Sequence, residues 1–302
     1  MHDQLFVVTG ATGNIGRRLA ELLLEGHRRV RVVGRDEERL RPLAAAGAQV
    51  LHGSLDDPDF ARRAFAGAHA AFTMVPPNLS VPDLRHWQNR VSDAIAGGLR
   101  AAAVPYVVNL SSIGAEVPYG TGPIAGLHDQ EERLDSLEGT NVVHLRPASF
   151  MENHLQSIGL IRSQGAYLGV LPGDVPSPTI ATRDIADEAA RLLAALDFED
   201  KSTRELLGAR DYTMTEAVHI LGSAIGKPHL SYVVISEDQA RHGMLAAGLP
   251  PPATESLLEM YRAMVSGKIR PSEPRLRENT TNTTLEDWAT SDFALAWHAA
   301  GG

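Results

Sequence analysis

A glycine-rich turn near the amino terminus constrains the fold of this chain more than any other feature of its sequence. The apolar run Leu5–Val8 leads into Gly10, Gly13 and Gly16, and a helical pattern starts at Asn14. Gly10 permits a tight turn, Gly13 lets the backbone approach a phosphate, and Gly16 lets the helix pack close to the strand. A strand, such a turn and a helix in this order hold the pyrophosphate of a dinucleotide on free helix amides. We therefore predict a dinucleotide-binding unit here.

Strand-like runs and helical patterns alternate through the first half of the chain. The predicted strands are Leu5–Val8, Val30–Val33, Gln49–Leu51, Ala70–Val75, Tyr106–Leu110 and Asn141–Leu145. The predicted helices are Asn14–Glu25, Glu37–Ala46, Pro58–Phe65, Leu84–Ala103 and Leu127–Leu137. Six strands that alternate with helices are the number that a doubly wound dinucleotide domain requires. The predicted fold class is α/β, with a Rossmann domain on a doubly wound parallel sheet over residues 1–150.

The second half predicts a smaller, helix-rich lobe over residues 151–302 that binds substrate. Capping-box patterns at Thr213, Ser236 and Thr283 predict helix starts, because each hydroxyl precedes a Glu or Gln by three residues. Ser231–Ile235 predicts a strand. Residues 180–210, including the helix Ile185–Ala195, are expected to return to the main domain.

The composition excludes several classes of function. No cysteine is present, which removes disulfides and thiolate metal sites, and no metal-binding or serine-nucleophile motif occurs, so no metal is expected. The net charge is −9 without a basic stripe, so direct contact with nucleic acid is not expected. No apolar run approaches the roughly 20 residues of a membrane span, and no signal peptide precedes the first strand. We expect a cytoplasmic protein that acts on a small molecule, with a protein partner or a homodimer left open.

The end of the second strand bears on which dinucleotide binds. An acidic residue there accepts from the ribose 2′-hydroxyl of NAD, whereas an arginine suits the 2′-phosphate of NADP. This strand runs into Arg35 and then Asp36, and Arg17 and Arg18 add positive charge in the first helix. Arg35 favours NADP(H) over NAD(H) as the cofactor, while Asp36 keeps NAD(H) open.

Several motifs together resemble the NmrA-like group of atypical short-chain dehydrogenase/reductase proteins, over nearly the whole chain. The segments are Thr9–Gly16, Val30–Asp36, Gly53–Asp56, Ser111–Gly114, His144–Asn153, Arg183–Asp187 and Gly248–Pro250. The segment His144–Asn153 is the most specific, and Ser54 departs from the acid usual in its motif. The group includes NADP-sensing regulators, quinone reductases and azoreductase-type enzymes. The resemblance implies a Rossmann domain, a small C-terminal lobe and a substrate cleft between them.

Motifs and resemblance together predict the site residues. The predicted cofactor-binding residues are Gly10, Thr12, Gly13, Asn14, Ile15, Gly16, Arg35, Asp56, Met74, Val75, His128 and Phe150. The predicted substrate-binding residues are Ser111, Tyr119, Phe150 and Asn153. The resemblance implies that Gly53–Asp56 lies beside adenine and that His144–Asn153 lines the nicotinamide end.

Structural roles remain open for some of these residues. Core packing is the alternative for Phe150, Asn153 and His154, and capping of a strand end is the alternative for Ser111. Three tryptophans on helical patterns are expected in the core; these are Trp87, Trp288 and Trp297.

The usual proton-donating pair of short-chain dehydrogenases is missing. Those enzymes use Ser, Tyr and Lys, with Tyr and Lys four residues apart on one helix face and the tyrosine roughly 13 residues after the serine. Counting from Ser111 leads to Ile124, with His128 four residues later, and the first lysine of the chain is Lys201. In the resembled group, the position of His128 is commonly a basic residue that contacts the cofactor ribose. His128 is the candidate for that contact and for a catalytic acid, and an exposed surface histidine is the alternative.

Three functions fit these observations. The first is NAD(P)H-dependent reduction of a quinone, azo or conjugated compound by direct hydride transfer, which needs little proton catalysis because the product anion is delocalised. The second is an NADP(H)-sensing regulatory protein that binds a partner protein without turnover. The third is a secondary-metabolite reductase or epimerase with its specificity in the C-terminal lobe. We rank the reductase first, because the segment Phe150–Asn153 and the lobe imply a cleft facing the nicotinamide.

Overall fold

The computed structural model describes residues 4–300, and its centre is a parallel sheet of seven strands. In chain order the strands of the molecule are β1 Leu5–Thr9, β2 Arg29–Gly34, β3 Gln49–His52, β4 Ala68–Thr73, β5 Tyr106–Leu110, β6 Asn141–Pro147, β7 Ser149–Phe150, β8 Tyr167–Gly169, β9 Ser177–Ile180, β10 Lys201–Leu206, β11 Asp211–Tyr212 and β12 Tyr232–Val234. The large sheet has the order β10-β6-β5-β4-β1-β2-β3. The predicted doubly wound Rossmann architecture is confirmed, because the strand order reverses at β1 and all pairings are parallel.

Helices cover both faces of this sheet and fill the C-terminal lobe. In chain order they are α1 Asn14–Glu25, α2 Glu37–Ala45, α3 Pro58–Phe65, α4 Leu84–Ala101, α5 Ala125–Asp135, α6 Ile158–Gln164, α7 Thr182–Ala195, α8 Met214–Ala224, α9 Glu237–Ala246, α10 Pro251–Val265, α11 Leu285–Trp288 and α12 Ala294–Ala299. No helix among residues 4–300 combines the length and the apolar character needed to cross a membrane.

Strand β1 shows how the sheet divides the core. Phe6 and Val8 join a cluster with α1 and α7, whereas Leu5 and Val7 join a cluster with α3 and α4. Successive strand residues point to opposite faces, so helices on both sides bury the whole strand. This burial explains why β1 reads as a continuous apolar run rather than as an alternating pattern.

The seventh strand, β10, was not among the predicted strands. It pairs in parallel with β6 at the edge of the sheet, and its sequence from Lys201 to Leu206 is mostly polar. An edge strand has one neighbour and partial exposure, so it needs no apolar run. The helix α7 before it packs on α1, with Ile185, Ala189 and Leu192 in the core shared with β1.

The C-terminal lobe has its own core around Trp288, Phe293 and Tyr212. All three tryptophans are buried, which confirms their predicted core positions. Two small sheets, β11-β9-β7 and β12-β8, complete the lobe. The strand predicted at Ser231–Ile235 is therefore confirmed as β12.

Two of the three predicted helix caps are confirmed and one is wrong. The hydroxyls of Thr213 and Ser236 accept from the backbone amides of Glu216 and Gln239. At the third start the cap is Thr284, which accepts from the amide of Asp287. The hydroxyl of Thr283 instead donates to Asp184 at 2.6 Å and accepts from Arg183, contacts with α7 that local sequence does not show.

Candidate active site

The predicted site residues follow the ends of neighbouring strands. Gly10 follows β1, Arg35 follows β2, Met74 follows β4 and Ser111 follows β5. The carboxyl ends of parallel strands meet at one edge of the sheet, and ligands of doubly wound folds bind outside that edge where the strand order reverses. The strand order reverses between β1 and β4. The fold therefore brings these residues to one edge of the sheet.

The glycine turn has the backbone shape that its residues predict. Gly10 has a φ of +64°, in the left-handed region that favours glycine, and its carbonyl accepts from the amide of Gly13 at 2.9 Å. A Cβ on Gly16 would lie 2.7 Å from the carbonyl carbon of Gly10, so close packing requires glycine there. A Cβ on Gly13 would meet protein atoms only at 3.4 Å, which is nearly ordinary contact. Packing within the protein therefore does not require glycine at position 13, whereas a phosphate bound against the backbone would.

The N-terminus of α1 is suited to an anion. Gly13 is the N-cap and has no side chain that could satisfy the first amides of the helix, which include those of Asn14, Ile15 and Gly16. The first turn contains no acidic residue. Free amides and the positive end of the helix dipole thus face the edge of the sheet. A dinucleotide pyrophosphate fits this cradle.

The residues after β2 separate the two candidate cofactors. The carboxylate of Asp36 is the N-cap of α2 and accepts from the backbone amide of Arg39 at 3.2 Å. The guanidinium of Arg39 donates to the carbonyl oxygen of Thr12 in the glycine turn, while the side chain of Arg35 is exposed. Two arginines therefore lie at this end of the turn, and the acid has a structural role. Arg39 was missed from the sequence because its return to the turn depends on the start of α2.

Asp56, predicted beside adenine, is held in an ion pair. Its carboxylate accepts from Arg90 of α4 at 2.5 Å. A hydrogen bond from Ser54, followed by Arg90, lowers the pKa of Asp56 below its usual range. Ser54, which departs from the usual acid of this motif, thus supports the acid that remains. Asp56 orders the loop after β3.

His128 on helix α5 and Ile124 just before it occupy the positions of the missing lysine and tyrosine. Ile124 is buried just before the helix. The carbonyl oxygen of Ala115 lies 2.8 Å from Nδ1 of His128, so Nδ1 carries a proton and donates. Nε2 of His128 lies 3.5 Å from the carboxylate of Glu132. The imidazole is thus oriented through Nδ1, with Nε2 left for another partner.

His128, Asp129 and Glu132 also lie close enough together that their side chains could hold a metal ion. Both carboxylate oxygens of Asp129 accept from the guanidinium of Arg85, at 2.7 and 2.8 Å. Asp129 is therefore already paired, and the group is better described as an ion pair beside a histidine.

The predicted substrate residues occupy unlike environments. The hydroxyl of Ser111 is buried without a hydrogen-bond partner, directly after β5. Phe150 is half-buried against the main core, and Asn153 is exposed with its amide 3.4 Å from the Ser149 hydroxyl. Tyr119 is 68% exposed, and its ring packs 4.9 Å from the Arg85 guanidinium.

His154, left open between pocket and core, lies in the core of the lobe. It is buried beside Trp288, and its Nδ1 lies 2.9 Å from the Tyr167 hydroxyl. Burial lowers the pKa of His154 to about 4, so the ring is neutral at pH 7. His154 is a packing residue.

A comparison with protein families settles the membership of this chain. The model of the NmrA-like family matches residues 2–289. The chain belongs to the NmrA-like family. The resemblance seen in the motifs is therefore confirmed.

Relatives of this NmrA-like chain include two curated enzymes. One is a (4-alkanoyl-5-oxo-2,5-dihydrofuran-3-yl)methyl phosphate reductase of Streptomyces griseus, 29% identical over 287 residues that cover 94% of this chain and 96% of the relative. The other is an NAD(P)H azoreductase of Xenophilus azovorans, 29% identical over 259 residues that cover 85% of this chain and 86% of the relative.

Solved structures of other proteins share the fold of this NmrA-like chain. The triphenylmethane reductase of Citrobacter sp. superposes with a TM-score of 0.78 at 23% identity, covering 97% of this chain and 99% of that one. An NADPH-dependent quinone oxidoreductase of Escherichia coli, complexed with NADPH, superposes with a TM-score of 0.79 at 23% identity, covering 96% and 100%. At these identities the likeness establishes a common fold.

Proposed function

We propose that this protein is an NADPH-dependent reductase of small conjugated molecules. The observation that carries the proposal is the arrangement around the glycine turn. The free amides of α1 face the sheet edge, Arg39 is bonded to Thr12 of that turn, and Asp36 is used as a helix cap. This combination favours a cofactor with a 2′-phosphate. Two relatives named for NAD(P)H or NADPH, at similar length, support the same cofactor.

The protein residues would hold the cofactor at three points. The amides at the start of α1 would bind the pyrophosphate, and Arg35 and Arg39 would neutralise the 2′-phosphate. Nε2 of His128 would meet the nicotinamide ribose, because Nδ1 is committed to Ala115. Bound NADPH supplies a hydride. Orientation of the acceptor against the nicotinamide end is then the main contribution of the protein.

The class of acceptor follows from the absence of the usual tyrosine at the start of α5. With Ile124 in place of the tyrosine, the phenol that usually protonates a carbonyl oxygen is missing, so an acceptor with a delocalised product anion is favoured. The relatives are named for an azo reductase and for a dihydrofuranone with an alkanoyl substituent. An azo group and a conjugated lactone both take a hydride at an electron-poor double bond. We propose quinones, azo compounds and conjugated lactones or enones as the acceptor classes.

The test is a panel of acceptors with purified protein. Loss of the absorbance of reduced nicotinamide is followed with quinones, azo dyes, enones and an acyl-substituted butenolide, with NADPH and NADH compared. Turnover that depends on NADPH and on one acceptor class supports the proposal. A flat panel, with NADPH still bound tightly by fluorescence titration, would contradict it. The same result would favour a cofactor sensor, as would capture of a specific protein partner that depends on NADP(H).

The cellular setting is part of the proposal. A reductase that consumes NADPH and a small-molecule acceptor would work in the cytoplasm. Fractionation of cells that express a tagged chain tests this location, and recovery in the membrane fraction would contradict it.

A further inference from the structure

Helix α5 is docked on the sheet by polar side chains. Asp129, Gln130 and Glu131 are buried although they are polar, and each has a partner on a different element. Asp129 binds Arg85 of α4, and Glu131 binds Arg146 of β6 through two hydrogen bonds of 2.6 and 3.0 Å. Directional bonds of this kind set the position of a helix more narrowly than apolar packing does.

Gln130 joins a buried polar row that crosses three strands. Thr73 of β4, Asn109 of β5 and His144 of β6 are cross-strand neighbours in register. Each of these side chains is almost fully buried. The amide of Gln130 reaches this row from α5 and donates to Oδ1 of Asn109 at 2.8 Å.

With Oδ1 of Asn109 as the acceptor from Gln130, the donors and acceptors of this row place the proton of His144. Oδ1 of Asn109 accepts from Thr73 at 3.0 Å as well as from Gln130, so Nδ2 of Asn109 faces His144. Nδ2 can only donate, and its partner at 3.0 Å is Nδ1 of His144, which must therefore be unprotonated. The proton of His144 then lies on Nε2 and is donated to the carboxylate of Asp135 at 3.0 Å. Asp135 is the last residue of α5, so the row holds this helix at two points.

We propose that Asn109 and His144 are positioning residues for His128. Through Gln130 and Asp135 they set the position of α5 on the sheet, and α5 carries His128 two residues before Gln130. The imidazole of His128 is thereby held with Nδ1 on Ala115, and Nε2, 3.5 Å from Glu132, is the nitrogen that would meet the cofactor ribose. The functional consequence rests on the proposed reductase function, but the structural part does not.

The first test is the protonation of two histidines in the wild-type protein. Nitrogen-15 NMR of histidine-labelled protein at pH 7.5 is expected to show His144 as the neutral form with its proton on Nε2. His128 is expected to carry a proton on Nδ1. Assignment uses His144→Asn and His128→Gln. A proton on Nδ1 of His144 would overturn the assignment, because it would face the NH₂ group of Asn109.

The second test uses two substitutions of His144 that each remove a different one of its hydrogen bonds. In His144→Asn the new side-chain oxygen replaces Nδ1 as acceptor for Asn109, whereas His144→Gln keeps a donor toward Asp135 and loses that acceptor. His69→Gln is the matched control, since His69 is a half-buried histidine of β4 at the opposite end of that strand from Thr73. The kcat and KM for NADPH are measured with the acceptor found in the panel. Backbone amide exchange of α5 and the His128 signals are measured without cofactor.

The larger loss is expected in His144→Gln, because it leaves the buried amide of Asn109 without its acceptor, and Asn109 orients Gln130. His144→Asn loses only the contact with Asp135, which is half exposed to water. The kcat of His144→Gln should fall on the order of tenfold, with faster exchange of α5 amides and shifted His128 signals, because a small displacement of a binding group is costly. His144→Asn should recover most of the activity, and His69→Gln should match wild type. Unchanged His128 signals in His144→Gln, or an equal loss in His69→Gln, would overturn the proposal. If wild type fails to bind NADPH, the proposed function fails, and the NMR and exchange results still decide the role of the row.

Discussion

Asp36 illustrates how the role of a residue depends on where a helix begins. From the sequence, its carboxylate competes with Arg35 for the cofactor ribose. In the structure it caps α2, and the arginine one turn later, Arg39, bonds to the glycine turn. The capping bond removes one acceptor from the ribose site, and Arg39 adds positive charge to it.

Cofactor preference should therefore depend on Arg35. In Arg35→Asp we expect the Kd for NADPH to rise about 10- to 100-fold, because one hydrogen bond to a charged group is lost. The Kd for NADH should change little. Arg41→Asp is the control, because Arg41 lies on α2, shortly after Arg35 in the chain, and is exposed beside Glu38. Fluorescence titration of both cofactors measures the result. Equal Kd values for wild type and Arg35→Asp would show that Arg35 does not contact the 2′-phosphate.

Gly16 and Gly97 allow a matched test of close packing. Both lie within helices, but a Cβ on Gly16 would meet the backbone of Gly10, whereas one on Gly97 would meet no atom within 4 Å. Gly16→Ala should lower the free energy of unfolding by about 1–3 kcal/mol and weaken NADPH binding, because the turn must shift. Gly97→Ala should raise the free energy of unfolding by about 0.5–1 kcal/mol. Chemical denaturation tests both, and equal stabilities of the two variants would contradict the packing argument.

Among the elements, α5 stands out because its sequence resembles that of an exposed helix. Its predicted bounds, Leu127–Leu137, lie two residues later than the observed helix, since the buried residues Ala125 and Gly126 belong to the first turn. Polar residues on its inner face are stabilised by partners on α4, β5 and β6. Periodicity of apolar residues predicts the helix but cannot show that its polar face is buried in this way.

The ion pair between Asp129 and Arg85 makes the stability contributed by α5 depend on pH. The Arg85 guanidinium lowers the pKa of Asp129 in the folded protein. A carboxyl whose pKa is lowered by folding stabilises the protein at pH values above its unfolded pKa of about 3.9, and this stabilisation is lost as the pH falls. Asp129→Asn should lower the free energy of unfolding at pH 7 by about 1–2 kcal/mol, reduced by the partial exposure of Arg85. The decline in stability below about pH 4 should become shallower.

Asp93→Asn is the control for this prediction. Asp93 of α4 pairs with Arg133 of α5 but is 67% exposed, so its removal should change the free energy of unfolding by no more than about 0.5 kcal/mol. Urea denaturation at pH 7 and pH 3.5 compares the variants. Coincident curves for Asp129→Asn and wild type at pH 7 would contradict a stabilising role for the pair.

At the scale of the whole molecule, the core beneath the glycine turn draws on both halves of the chain. Ile185 and Leu192 of α7 and Leu206 of β10 pack in one cluster with Phe6 and Val8 of β1. Arg18 of α1 also pairs with Asp187 of α7 at 2.7 Å. The part of the chain after residue 150 therefore completes the main core as well as forming the lobe.

A fragment of residues 1–150 should not fold on its own. Without α7 and β10 the core face under α1 and the edge of β6 are exposed, and the lost burial exceeds the small net stability of a domain. We expect no cooperative thermal unfolding by circular dichroism, and no binding of NADPH. The full chain is the control. A sharp two-state transition in the fragment would contradict this prediction.

Local patterns predicted six of the seven strands of the large sheet, the glycine turn and the lack of the Tyr and Lys pair, because each depends on neighbouring residues alone. Asn109 and His144 illustrate what such patterns leave out. Each is the fourth residue of an otherwise mostly apolar strand, which hints at a cross-strand pair. Their partners Gln130 and Asp135 cannot be predicted until α5 is placed.

The sequence by itself determined the fold class and the family, and it predicted the place where a dinucleotide would bind. Tertiary structure decided that Asp36 is a cap, that Arg39 reaches the turn, that His154 is a core residue and that β10 closes the sheet edge. The physical reason is the range of the interactions. Turns, caps and strand periodicity are local, whereas buried polar contacts join residues that only the folded chain brings together.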